Sequence, residues 1–316
     1  MTRIYYRNGD KILSAEGLGQ IANVERERLI WIDAMGASEE ERKELSQLFN
    51  FPLQSQQQSE EIESSSRFLE LDEIIIANSN FLILREEQYV SEPVSFILKE
   101  KLLITFRNAE LRSFTETIKK LNSNWRAFGT GYHVAVAVFD ARVDFDADML
   151  ESIARDSSRA ARLIGQQKQM SEKTLLEITR YQEITMMLRE NIVDKQRVIS
   201  GMLRSELFPR ECNERLRIMI KDINSLIDHA NFSFERLEYL QNTFLGLVNI
   251  EQNKIIKIFT VASVIFMPPT LIASIYGMNF ANLPEKEWEY GYPFSIGLMV
   301  ISSMLTLFIF RRKRWL

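Results

Sequence analysis

The chain has 316 residues, of which 46% are hydrophobic and 26% charged, and its formal net charge is −4. That length allows about two domains, and without a basic excess the chain is not a general nucleic-acid binder. A single cysteine, Cys212, excludes an internal disulfide and a cysteine-based zinc site, and it suits a reducing compartment.

Residues 1–11 lack the apolar core of a signal peptide, so targeting is expected from elsewhere in the chain. Residues 1–127 read as a mixed α/β (α+β) domain. Residues 28–34 (RLIWIDA) have the β-branched and aromatic content of a strand. Ser38 with Glu41 three residues on is a capping box, which predicts a helix to about Phe49. The polar tract 54–66 reads as part helix, part loop. Four short apolar runs follow at 73–77, 81–84, 94–98 and 102–106, and the last two flank Lys99-Glu100-Lys101 as a hairpin. A helix over 109–125 closes the domain. No phosphate loop, metal-ligand cluster or nucleophile-base pair has a local signature here, so the chain is not expected to be an enzyme or to hold a resident cofactor. His133, beside the apolar run 134–139, reads as a packed core histidine.

Residues 128–207 predict two antiparallel helical arms, with a turn near Gly165 and charges of both signs, including Arg189, Glu190, Asp194 and Lys195, on solvated faces. Phe208-Pro209 breaks the second arm. Beyond it, Leu216, Ile220, Ile223, Ile227, Ala230, Phe234 and Leu237 recur at spacings of 4 and 3, a heptad seam. Residues 210–257 therefore form a stalk helix. Continued to Tyr276 from Glu211, that helix is on the order of 100 Å long.

Two charge-free apolar segments, 258–276 and 292–310, each have about the length that spans a bilayer as a helix. Lys254 and Lys257 precede the first, and Arg311 to Arg314 in the tail 311–316 follow the second. The loop 277–291 carries Glu285, Glu287 and Glu289 against Lys286. This charge distribution predicts both termini in the cytoplasm and the loop outside, where the three glutamates attract cations. The basic tail is placed to meet anionic lipid.

Along the first span, Asn253, Thr260, Ser263, Met267, Thr270 and Ser274 fall on one helix face, and Asn242, Gly246 and Asn249 continue it upstream. Such a stripe serves either helix packing through small and hydroxyl residues or a wet pathway. The second span has only Ser295, Ser302, Ser303 and Thr306 as serine or threonine hydroxyls and reads as the outer, lipid-facing helix. One polar helix per chain encloses nothing, so a pathway requires a ring of copies. Pro268 and Pro269 leave the carbonyls of Val264 and Ile265 without their usual donors, which predicts a kink.

The runs Asn249-Ile250-Glu251-Gln252-Asn253, Ile265-Phe266-Met267-Pro268-Pro269-Thr270 and Tyr276-Gly277-Met278-Asn279-Phe280 resemble the CorA family of magnesium transporters. The Pro284-Glu285…Trp288…Gly291-Tyr292-Pro293 loop and the basic tail ending in Trp315-Leu316 do too. The resemblance is close over residues 249–316. It implies a funnel-shaped homopentamer in the cell (inner) membrane that passes Mg²⁺, with Co²⁺ and Ni²⁺ as further cargo, and needs no other protein partner. It implies Gly277, Met278 and Asn279 as an outer selectivity ring holding the ion through its hydration shell. Asn253, Met267 and Thr270 would line the pathway, with Ile256 and Phe259 near its inner constriction. Family members also close when cytoplasmic divalent ions bind acidic residues between subunits, whereas this stalk carries Asn242 where some relatives have an acidic ring. A zinc-transporting relative of the same architecture, and a membrane-anchored coiled-coil scaffold without transport, are the rival readings.

Overall fold

Strand β3 (Leu29–Met35) is buried along nearly its whole length, because it lies mid-sheet with both faces covered. This is a computed structural model, and it describes residues 1–53, 67–86, 88–165, 172–279, 284 and 288–313. The expected polar tract 54–66, the turn residues 166–171, Phe280, Glu285 to Glu287 and residues 314–316 lie outside the described residues.

The remaining strands are β1 (Thr2–Asn8), β2 (Lys11–Glu16), β4 (Phe68–Leu71), β5 (Ile74–Arg85), β6 (Gln88–Lys99) and β7 (Leu102–Arg107), and the sheet order is β2-β1-β3-β7-β6-β5-β4. Among the described residues only the β3–β7 pair is parallel. Helix α1 (Glu39–Phe49) starts at the expected capping box, in which the Ser38 side chain accepts from the Glu41 amide and the Glu41 carboxylate accepts from the Ser38 amide. It seats Leu45 and Phe49 on one sheet face with Ile32, Ala34, Ile76, Ile97, Ile104 and Phe106.

The other face carries Trp31, Phe81 and Phe96. These pack against Phe114 of α2 (Arg112–Ser123) and Phe139 of α3 (Gly131–Gly165) at ring separations of 4.7–6.4 Å. Between those rings runs a buried polar chain. Trp31 Nε1 donates to Thr105 Oγ1, Thr105 Oγ1 donates to Asp33, and Arg107 pairs with Asp33 at 2.7 Å.

Helix α3 and helix α4 (Glu172–Arg204) are the two arms. The solvated-face reading of their charges holds for Arg189 and Glu190, which are exposed, and is corrected for Asp194 and Lys195. Asp146, Asp194 and Lys195 are buried, with Lys195 wholly inaccessible. Lys195 Nζ lies 3.2 Å from Asp146, which also takes Arg142 at 2.5 Å. Asp194 pairs with Arg67 at 2.9 Å and accepts from the Ser79 hydroxyl and the Asn80 amide. The two expected runs 73–77 and 81–84 are one strand, β5, because the polar residues between them are held by α4 from beneath. His133 is also not a packed core histidine. It is 24% exposed, pairs with Glu211 at 3.0 Å and hydrogen-bonds Thr130.

Helix α5 (Asn213–Tyr276) is unbroken through Pro268 and Pro269, and α6 (Gly291–Arg312) follows. Within residues 213–241 the buried positions are Leu216, Met219, Ile223, Ala230, Ser233, Leu237 and Leu240. The seam thus keeps the expected positions 216, 223, 230 and 237. Two of the intervening positions move one residue back, to Met219 and Ser233, while Ile220, Ile227 and Phe234 are half-buried. The chain divides into two units, Met1–Gln241 and Asn242–Leu316.

Candidate functional site

In the second unit, α5 and α6 each contain a stretch long and apolar enough, and poor enough in charge, to cross a membrane. Almost none of these positions is fully buried by the chain itself, and each helix has one face that is half-covered. Pattern within that exposure is informative. On α5 the half-buried positions are Val261, Val264, Ile265, Pro268, Pro269, Ile272 and Tyr276. Asn253, Ile256, Phe259, Thr260, Ser263, Met267, Thr270 and Ser274 are all exposed. At 3.6 residues per turn the centres of these two sets lie roughly 160° apart around the helix. The polar stripe is therefore not the face that α5 turns toward its own chain.

Two stripe hydroxyls are oriented by the backbone. Thr260 Oγ1 donates to the Ile256 carbonyl at 2.8 Å, and Thr270 Oγ1 donates to the Phe266 carbonyl at 2.7 Å. A hydroxyl has one hydrogen and two lone pairs. With the hydrogen committed to its own helix, each threonine offers lone pairs alone to whatever lies along the stripe.

At its C-terminal end α5 stops at Tyr276, where the Gly277 amide donates to the Ala273 carbonyl at 2.9 Å and the Met278 amide to Ile275 at 3.2 Å. A side chain at Gly277 would stand 3.0 Å from the Ala273 carbonyl oxygen, tight enough to shift the helix end. The close approach is why glycine suits this position. Helix C-terminal carbonyls carry partial negative charge, and Gly277, Met278 and Asn279 sit exposed beside them. Glu289 is exposed too; Glu285 and Glu287 lie outside the described residues. Among the described residues no group of three or more His, Cys, Asp or Glu side chains is placed to hold a metal ion.

On α6 the half-buried or buried line runs through Gly291, Ser295, Met299, Ser302, Ser303, Thr306 and Phe310. Its hydroxyls thus lie on the covered face. Ser295, Ser302 and Thr306 donate to carbonyls of their own helix, whereas Ser303 Oγ donates across to the Ile265 carbonyl of α5 at 3.4 Å. Reading the sequence by residue type lists both Ser303 and the proline-freed carbonyl of Ile265 but does not pair them, since pairing needs the register between the helices.

An α/β unit, a helix leading on from it and two membrane-length helices define a two-span integral membrane protein. A sequence model of the CorA-like Mg²⁺ transporter family matches residues 26–312. The magnesium transport protein CorA of Wolinella succinogenes is 40% identical over 294 residues, covering 91% of each chain. That of Escherichia coli strain K12 is 32% identical over 290 residues, covering 91% of this chain and 92% of its own. The complete structure of the CorA magnesium transporter from Methanocaldococcus jannaschii superposes with a TM-score of 0.81 at 20% identity, over 99% of this chain and 98% of its own, so the fold is shared. The chain belongs to the CorA family.

Proposed function

We propose that this protein passes hydrated Mg²⁺ into the cell along the exposed stripe of α5, with five copies gathered about one axis in the inner membrane and both termini in the cytoplasm. The observation that carries the reading is the direction of the stripe. It faces away from the side α5 turns to its own chain and presents oxygen lone pairs at Thr260 and Thr270.

Magnesium sheds water reluctantly and demands octahedral oxygen ligation. A hydrated ion therefore presents water hydrogens outward, and a wall for it needs acceptors. The stripe supplies acceptors with no carboxylate between Asn253 and Asn279, so the ion is held weakly enough to move on. Asn279 amide oxygens and the carbonyl end of α5 receive the hydrated ion at the outer mouth. Gly277 allows the tight approach there and Met278 excludes bulk, while Glu289 together with Glu285 and Glu287 raises the local cation concentration. Ile256, Phe259 and Met267 provide apolar narrowing. An inward-negative potential contributes about 2.3 kcal/mol per charge per 100 mV, so about twice that for a divalent ion, and no nucleotide site is required. Arg311, Arg312 and Lys313 face the cytoplasmic leaflet and its anionic lipid.

The test is Mg²⁺ entry into liposomes holding the purified chain, read by an internal Mg²⁺-sensitive dye. Wild type is expected to conduct, and Asn279→Ala to lose most or all of the flux. Undiminished flux in Asn279→Ala would overturn the outer-ring assignment, and a silent wild type would favour a scaffold without transport. Competition by Co²⁺, Ni²⁺ and Zn²⁺ in the same assay orders the cargo and separates a zinc carrier from a magnesium one.

A further inference from the structure

Pro268 and Pro269 carry no amide hydrogen, so the carbonyls four residues back, on Val264 and Ile265, have no donor from the usual position in their own helix. In a bilayer there is no bulk water to replace it, and neighbouring helices must supply the partner. The helix nonetheless runs unbroken through both prolines. Val264, Ile265, Pro268 and Pro269 are all half-buried, the same side on which Ser303 reaches Ile265.

Ser303 stands apart from the other hydroxyls of α6. Ser302 Oγ returns to the Met299 carbonyl at 2.8 Å, Thr306 Oγ1 to Ser302 at 2.8 Å, and Ser295 Oγ to Tyr292 at 2.9 Å, whereas Ser303 Oγ crosses to the Ile265 carbonyl at 3.4 Å. Serine hydroxyls in membrane helices ordinarily satisfy themselves locally. This one donates instead to the atom that Pro269 deprives.

We infer that Ser303 is a positioning residue for the transport pathway. Its hydroxyl takes the place of the amide missing at residue 269 and fixes the rotation of α5 about its axis, so that the Ser263, Met267, Thr270 and Ser274 face stays turned away from α6. The consequence for transport rests on the reading given under Proposed function; the bond itself does not. The arrangement also explains how Pro269 is tolerated in the middle of the span: α6 supplies, at a fixed register, the donor that the Ile265 carbonyl lacks.

A double-mutant cycle between Ser303 and Pro269, in the full-length chain, tests the inference with two readouts. Pro269→Ala restores an amide donor for Ile265, so the hydroxyl becomes redundant. Ser303→Ala is expected to lower both the melting temperature of the detergent-purified protein and Mg²⁺ flux in liposomes, the flux by roughly threefold to tenfold, the scale of a membrane hydrogen bond. Ser303→Thr restores both, and Ser302→Ala changes neither. In the Pro269→Ala background, Ser303→Ala is expected to have no further effect. Equal losses from Ser303→Ala in both backgrounds would overturn the bond. Melting coupled to Pro269 with unchanged flux would overturn the positioning role. A wild type without flux would overturn the transport reading, while the melting cycle still decides the bond.

Discussion

Lys195 is the most deeply committed charge in the first unit. Its ammonium is wholly buried, 3.2 Å from Asp146, and donates to the backbone oxygens of Asn191 in its own helix and Asn80 of β5 at 3.0 and 3.2 Å. The Phe81 ring lies 5.5 Å away, while Arg142 and Asp194 complete the charged surroundings. Burial pulls its pKa from 10.5 down to about 8 despite the Asp146 charge. The unfolded chain therefore holds a proton between about pH 8 and 10.5 that the native chain has released, and stability rises with pH across that window. Below it both states are protonated and the contribution is at its lowest. Cys212, whose thiol burial pushes up to about 11, acts in the opposite sense from about pH 9, and Tyr5 and Tyr132, whose burial raises their pKa values above 10, do so at the top of the range. The rise should therefore appear between about pH 8 and 9 in thermal melts of the detergent-purified protein and be absent in Lys195→Met. Asp146→Asn should cost more than Lys195→Met, about 3–5 kcal/mol, because Asp146 is shared by two buried cations and its loss leaves both uncompensated. None of this was legible in the sequence, where Asp194 and Lys195 look like the other charges of a polar helix. Their shared partner, the backbone of Asn80, sits more than a hundred residues earlier on β5, and hydrophobic periodicity carries no mark for a buried ion pair.

Individual elements were legible wherever a local signal set them. The capping box predicts α1, the Lys99-Glu100-Lys101 turn predicts the β6–β7 hairpin, and Phe208-Pro209 predicts the end of α4. Strand β5 was not, because Asn78 and Ser79 interrupt its apolar run and yet are buried. The heptad seam on α5 was half legible: spacings of 3 and 4 fit either neighbouring register, and only packing chooses Met219 and Ser233 over Ile220 and Phe234. Two helix glycines show what pattern cannot tell. A side chain on Gly201 would run into the Phe68 ring, and one on Gly131 into the backbone of Leu102, Leu103 and Ile30. Gly201→Ala should cost about 1–3 kcal/mol and be relieved by Phe68→Ala, since the clash is with Cγ and both Cδ atoms of the ring, which alanine removes. Gly131→Ala should cost more and find no single relieving partner, because two strands would have to part from α3. Thermal melts of the four variants check the order.

For the molecule as a whole, the two spans, their flanking charges and the outer motif were all readable from the sequence, because a bilayer imposes length and composition directly. What stayed open there was whether the polar stripe packs or lines a pathway, and the side of α5 that its own chain covers is the one opposite the stripe. Orientation has a clean assay. Cys212 is 4% exposed and burial pushes its thiol to about 11, so the native chain is silent toward thiol reagents. Glu289→Cys should label from outside intact cells with an impermeant reagent, and Arg311→Cys only after lysis; the reverse would invert the topology. The stripe also repeats every seven residues, from Asn253 through Thr260 and Met267 to Ser274 and from Ile256 through Ser263 and Thr270 to Gly277. An α-helix does not close on seven, so on a straight rod each line drifts by about 20° per repeat. Copies that kept this stripe on a common axis across the bilayer would have to coil about one another with a left hand, so the spacing carries a chirality that no single chain displays.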